Sequence, residues 1–138
     1  MKAVLDANSY VSAAITPEGL AAAILDFAEE GRFEAVISDN LLEEVQDVLT
    51  RRKFRRYLAA EDVAPYLERL RRLATLADEG DEVPRYTRDR DDDYLVELAL
   101  KSGADLLVSR DEDLLDPPDE LPVEVMKPED FITRLREL

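Results

Sequence analysis

Short, nearly unbroken apolar runs alternate along this chain with longer stretches whose apolar residues recur every three or four positions. Lys2 to Asp6, centred on Ala3-Val4-Leu5, has the length and content of a strand buried on both faces. Thr16-Pro17-Glu18 reads as a helix start, with Thr as cap and Pro at the first helical position. Leu20, Ile24, Phe27 and Ala28 follow at helical spacing, and Gly31 ends the segment. Phe33 to Ile37 is a second strand. Ser38 then caps a helix carrying Leu41, Leu42, Val45, Val48 and Leu49 on one face. A further helix is predicted over Glu61 to Leu73, followed by a short edge strand within Ala74 to Ala77.

Residues 78–93 are polar and acidic, contain Gly80 and Pro84, and predict a loop. The next helix runs from about Asp91 to Ser102, with Leu95, Leu98 and Ala99 inward and Gly103 as its stop. Asp105 to Ser109 is a strand. Glu112 to Leu115 has room for one helical turn before Pro117-Pro118. Val123 to Met126 is the last strand, and Pro128 opens a final helix with Phe131, Ile132 and Leu135 inward. This alternation predicts one α/β domain over residues 1–138, a three-layer α/β/α arrangement with a central parallel sheet of five strands. In such sheets, sites lie at the carboxyl ends of strands, beside the switch in strand order. Asp6 and Asp111 both fall at such ends.

Composition narrows the chemistry. There is no Cys and no His among 138 residues, which removes disulfides, thiol catalysis, zinc–thiolate sites and the commonest general base. No apolar stretch reaches a membrane span, and the strand-like start is not a signal peptide, so a cytoplasmic protein away from membranes is expected. What remains for chemistry is carboxylate. Oxygen-only ligation suits Mg²⁺ or Mn²⁺, ions used to cleave phosphodiesters. The net charge of −15 counts against a simple nucleic-acid binder, which would carry a basic surface.

Helical rotation sorts some of the acids. At about 100° per residue, Glu44 lies roughly 100° from the centre of the Leu41/Leu42/Val45/Val48/Leu49 face, at its margin. Glu43 and Asp47 point to solvent. In Asp89-Arg90-Asp91-Asp92-Asp93 the same reasoning places Asp93 outside and leaves Asp91 and Asp92 unresolved. A bland reading exists for each acid: Asp6 caps a turn, the run at 89–93 complements a helix dipole, and Asp111 or Asp113 caps the short turn after the fourth strand. Asn8 stands close enough to Asp6 to hold its carboxylate, and Ser109 to orient a carboxylate or a water. Several carboxylates packed together repel and raise one another's pKa, and a divalent cation relieves this.

These segments together resemble the PIN-domain ribonucleases over nearly the whole chain. Val4-Leu5-Asp6-Ala7-Asn8 looks like the opening strand with its first acid. Ser38 through Leu41-Leu42-Glu43-Glu44-Val45 looks like the second motif, whose acid matches Glu44. Asp89-Arg90-Asp91-Asp92-Asp93-Tyr94-Leu95, running on to Ala99, looks like the third, and its spacing favours Asp92. Leu107-Val108-Ser109-Arg110-Asp111-Glu112-Asp113-Leu114 looks like the closing motif. Arg51-Arg52-Lys53-Phe54 looks like the subgroup of toxins in bacterial toxin–antitoxin systems, from which Arg90 departs where Pro is common. The resemblance implies cleavage of single-stranded RNA by metal-activated water, a homodimer and an antitoxin partner. It also implies that Asp6 and Asp111 are central ligands of Mg²⁺ or Mn²⁺, completed by Asp92 and Glu44 and supported by Asn8, Ser109 and Asp113.

Arg51, Arg52, Lys53, Arg55 and Arg56 place five cations in six residues, a strip for RNA phosphates with Phe54 or Tyr57 for stacking. The same arginines would otherwise balance neighbouring acids, or dock an antitoxin. Apolar residues of the 61–73 helix would serve a dimer. Two other functions fit parts of the pattern. A phosphoacceptor signalling domain needs an acidic pair at the first strand and a late Lys; the first strand has one acid, and Lys127 is the late candidate. A non-catalytic interaction domain of the same fold needs none of the four acids.

Overall fold

The computed structural model describes residues 1–138. Five strands form one sheet: β1 (Lys2–Leu5), β2 (Glu34–Ile37), β3 (Thr75–Leu76), β4 (Leu106–Val108) and β5 (Glu124–Met126). All neighbours are parallel, in the order β3-β2-β1-β4-β5. The helices are α1 (Ala7–Ile15), α2 (Leu20–Glu29), α3 (Asp39–Leu49), α4 (Ala60–Leu73), α5 (Arg90–Ser102), α6 (Glu112–Leu115) and α7 (Pro128–Glu137). Helix α5 lies across β1 and β4, while α1, α2, α3, α4 and α7 are joined by contacts α1–α2, α1–α3, α2–α7 and α3–α4. The α/β/α layering and five-stranded parallel sheet are those expected from the sequence.

The central strands owe their place to composition. Ala3-Val4-Leu5, Ala35-Val36-Ile37 and Leu106-Leu107-Val108 are all buried, so each needs helices on both faces. The edge strand β3 is two residues long and exposed, which limits pairing with other chains. Strand order reverses between β1 and β4, because β2 and β3 extend to one side and β4 and β5 to the other. This order also differs from the 2-1-3-4-5 of phosphoacceptor signalling folds.

Three expectations need correction. First, residues 7–15 form a helix where none was predicted, and Thr16-Pro17-Glu18 is the turn after it, not a helix start. Helix α1 buries Ala7, Tyr10, Val11 and Ala13, and α2 begins after Gly19. Second, Asp93 is buried, not solvent-facing. Its Oδ1 accepts hydrogen bonds from the backbone N–H groups of Tyr86 (3.1 Å) and Thr87 (2.8 Å), and Arg85 lies 3.1 Å from Oδ2. Asp93 therefore fastens the 85–87 segment over α5. Removing it leaves one buried and one half-buried donor unmet, so Asp93→Ala is expected to lower stability by about 2–4 kcal/mol in urea denaturation. Third, the apolar face of α4 is not exposed. Val63 and Leu70 are buried, Tyr66, Leu67 and Leu73 are half-buried, and the exposed large apolar residues lie elsewhere, at Tyr57, Leu76 and Leu100 among others.

A carboxylate site at the carboxyl edge of the sheet

The reversal of strand order opens the sheet edge between β1 and β4, and the acids gather there. Leu5 pairs with Val108, and the backbone N–H of Asp6 donates to the Val108 carbonyl at 3.1 Å. Asp6 and Ser109, the next residues on each strand, therefore meet. Both are buried, and the Ser109 hydroxyl donates to Asp6 Oδ2 at 2.6 Å. The same hydroxyl accepts from the Asp111 N–H at 3.0 Å, so Ser109 couples two acids from different strands.

The other oxygen of Asp6 is held by Ser9, not Asn8. Asp6 Oδ1 accepts from the Ser9 N–H at 2.8 Å and from its hydroxyl at 2.7 Å. Asn8 is exposed and faces the adjoining cleft. Ser9 was missed because α1 was missed: with Asp6 as helix cap, Ser9 is the position whose N–H a capping side chain reaches. Asp89 and Asp111 are caps as well. Asp89 accepts from the Asp91 N–H at 2.9 Å to start α5, and Asp111 Oδ1 accepts from the Asp113 N–H at 2.9 Å to start α6. The capping readings and the convergence of acids are both true of these residues.

Convergence is tightest around Asp92. Carboxylate oxygens of Asp89, Asp92 and Asp113 lie within 4.8 Å of one another. Asp91 is exposed and Asp92 half-buried, so of the two orientations that periodicity left open it is Asp92 that faces inward. Burial, then the adjacent Asp111 carboxyl, then Asp89 and Asp113, push the Asp92 pKa up to about 8. Its Oδ2 is buried with no hydrogen-bond partner. A buried, unpaired oxygen amid acids is a poor arrangement for protein alone and a good one for a cation. Asp89, absent from the predicted set, joins Asp92 and Asp113 here, whereas Asp6 and Glu44 lie outside this trio.

Glu44 joins the group from α3. It is half-buried while Glu43 and Asp47 are exposed, as the rotation of α3 predicts. Tyr94, buried on α5, donates its hydroxyl to Glu44 Oε2 at 3.2 Å. Burial raises the Glu44 pKa, Tyr94 lowers it, and Asp91, Asp6 and Asp89 raise it again. Burial and the Glu44 carboxylate hold the Tyr94 phenol firmly protonated. Tyr94 is thus a donor that fixes Glu44, from a position the sequence presents as an ordinary core aromatic. None of the five basic residues between Arg51 and Arg56 forms an ion pair with these acids or with any other.

The model of the PIN domain family matches residues 2–113. The chain belongs to that family. PIN domains are in general nucleases that use divalent metal ions. An uncharacterised protein of Methanocaldococcus jannaschii is 28% identical over 121 residues, covering 87% of this chain and 77% of that one. Among solved structures, this PIN domain is similar to VapBC2 from Rickettsia felis bound to a DNA fragment from their promoter. The TM-score is 0.64 at 14% identity, covering 92% of this chain and 98% of that one. It is also similar to PAE2754 from Pyrobaculum aerophilum, with a TM-score of 0.63 at 14% identity, covering 100% and 91%. At these identities the two structures speak for the fold. No single helix of this PIN domain is long and apolar enough to cross a membrane.

Proposed function

We propose that residues 1–138 act as one PIN domain that cleaves single-stranded RNA with Mg²⁺ or Mn²⁺. The observation that carries this reading is the buried, unpartnered Oδ2 of the half-buried Asp92, amid Asp89, Asp111 and Asp113 at the sheet edge. Asp6, Asp92 and Asp111 would hold the ion, with Asp89 and Asp113 at hand and Glu44 joining from α3. A bound divalent ion supplies activation of water and charge relief at the phosphate. The chain itself contributes orientation. Ser9 and Ser109 fix both oxygens of Asp6, Ser109 sets the backbone at Asp111, and Tyr94 fixes Glu44. With no His in the chain, a carboxylate is the available proton acceptor.

The basic strip answers the objection from charge. Arg69 pairs with Asp26 and Glu29 near the end of α2, while Tyr66, earlier on α4, donates to the carbonyl of Tyr10 in the first turn of α1. Helix α4 therefore runs away from the carboxyl edge of the sheet. The segment before it, 51–59, therefore enters α4 from the carboxyl side of the sheet. Its cations are exposed, Lys53 and Arg56 lie over the Phe54 and Tyr57 rings, and Tyr57 is 52% exposed. An exposed aromatic beside unpaired cations suits a single strand. The fold shared with VapBC2 supports a toxin role with an antitoxin partner in the cytoplasm, and a homodimer is the assembly we propose with it.

The test is calorimetric titration of Mn²⁺ and Mg²⁺ into wild type and Asp6→Asn/Asp111→Asn, beside a single-stranded RNA cleavage assay with an EDTA control. Binding and cleavage should both vanish in the double variant. Wild type that binds no metal would instead favour the non-catalytic interaction domain. Metal binding should also release protons. Asp92 is protonated below about pH 8 in the metal-free chain and must ionise to bind. Apparent affinity should rise by up to about tenfold per pH unit towards pH 8 and then level off. Titration in buffers of different ionisation enthalpy should show close to one proton released at pH 7; a value near zero would remove this assignment.

A further inference from the structure

Helix α1 carries a second polar feature. Asn8, Ser12 and Thr16 recur every four residues, which places them on one face of α1 and its closing residue. All three are exposed. Ser9 commits its hydroxyl to Asp6, but these three face a cleft of about 260 Å³. The cleft is completed by Leu20 at the start of α2, by Arg110, and by Pro128 at the start of α7. Asp6 borders it, so the cleft opens directly beside the carboxylate site. Glu129, in the first turn of α7, pairs with the Arg110 guanidinium and positions it.

The contents of this cleft are specific. It offers one cation, two hydroxyls and an amide on one wall, and apolar surface from Leu20 and Pro128 on another. An unpaired nucleotide has the complementary parts: a phosphate, a ribose rim of hydroxyls, and a flat base with apolar faces and polar edges. At about 260 Å³ the cleft is smaller than most ligand pockets, so it has room for a single small unit and not for a run of nucleotides. The strip at 51–56 reads charge along a backbone, whereas hydroxyls at a fixed spacing can read a single residue and its 2′-OH.

We propose that this cleft seats one ribonucleotide adjoining the scissile phosphate. Arg110 holds its phosphate, and Ser12 and Thr16 meet the ribose and base edge. The inference rests on the nuclease reading above, and it gives that site its base preference. Ser12 and Thr16 are exposed, so Ser12→Leu and Thr16→Val should fold as wild type does.

The test titrates the four ribonucleoside 5′-monophosphates and their deoxy counterparts into the full chain without added metal, followed by amide NMR. Saturable shifts are expected at Ser12, Thr16 and Arg110, at least fivefold weaker affinity for the deoxy forms, and a similar loss in Ser12→Leu. Cut sites mapped on a mixed-sequence RNA should change their neighbouring base in Ser12→Leu and Thr16→Val. Monophosphate binding lost in Ser12→Leu, in a protein that cuts no RNA, would keep the cleft and remove the nuclease reading. Metal-dependent cutting with a base pattern and monophosphate affinity untouched by Ser12→Leu would overturn the cleft and keep the nuclease.

Discussion

Asp92→Asn is expected to lower RNA cleavage by at least about 10³-fold while making the metal-free protein more stable. The first effect follows from removing a charged ligand at the point where the acids are densest, since metal-derived charge stabilisation is worth several kcal/mol. The second follows from the proton balance. The folded-state pKa of Asp92 is raised to about 8, above its unfolded value. Between about pH 4 and pH 8 the unfolded chain has released a proton that the folded chain still holds. This group therefore reduces stability progressively as pH rises through that window. Asn carries no such dependence. The gain should be absent at pH 4 and, after allowance for solvent screening, reach about 1–2 kcal/mol at pH 8. Thermal unfolding in EDTA at both pH values measures it. With saturating Mn²⁺ the order should reverse, because only wild type is stabilised by the ion. A variant less stable than wild type in EDTA at pH 8 would mean that Asp92 has a structural partner.

Replacing Arg51, Arg52, Arg55 and Arg56 together by Ala should weaken single-stranded RNA binding on the order of 10²-fold at low salt. The diagnostic reading is the salt dependence. Each phosphate that is no longer neutralised takes about 0.7 from the slope of log affinity against log salt, so the slope should fall by up to about 3. Turnover at saturating RNA should be retained, because none of these side chains pairs with a carboxylate of the site. Stability should be nearly unchanged, since none of these side chains forms an ion pair within the protein. Equal RNA affinity and slope in the variant would assign the strip to a protein partner instead, and co-purification with an acidic binding segment would then be the observation to seek.

The sequence disclosed those parts of the molecule whose cause is local. Ala3-Val4-Leu5 and Leu106-Leu107-Val108 read as buried strands because no polar residue interrupts them. Glu44 separated from Glu43 because α3 has a well-defined apolar face. Gly103 read as a helix stop, and it adopts the left-handed conformation that ends α5. Helix α1 escaped because Asn8, Ser9 and Ser12 dilute its apolar signal, although Ala7, Tyr10, Val11 and Ala14 keep helical spacing. Asp93 was misplaced because rotation on a helix reports only the helix. The segment that buries it, Arg85 to Thr87, arrives from a loop with no periodicity. At the site, a cap and a ligand are the same residue type in the same place. Asp89 looked like an ordinary helix start, and only the distances to Asp92 and Asp113 reveal its company. The acids of the resemblance carry over by position, while Ser9 and Tyr94, which orient them, appear only when the side chains are seen.

Asp6, Asp89 and Asp111 each begin a helix at the sheet edge, and this has a consequence for how the family can lose its chemistry. Asn caps a helix as well as Asp does. One Asp→Asn exchange at any of these positions removes a charge but keeps the hydrogen bond that starts the helix. At Asp89 and Asp111 the cap survives the exchange, whereas at Asp6 the new amide also faces the Ser109 hydroxyl, which must turn from donor to acceptor. An inert copy with the same shape and the same partner surfaces is therefore one substitution away. Such a copy could hold uncut RNA in place for structural work. In a lineage, it could persist as a decoy that competes for the same partners without cutting anything.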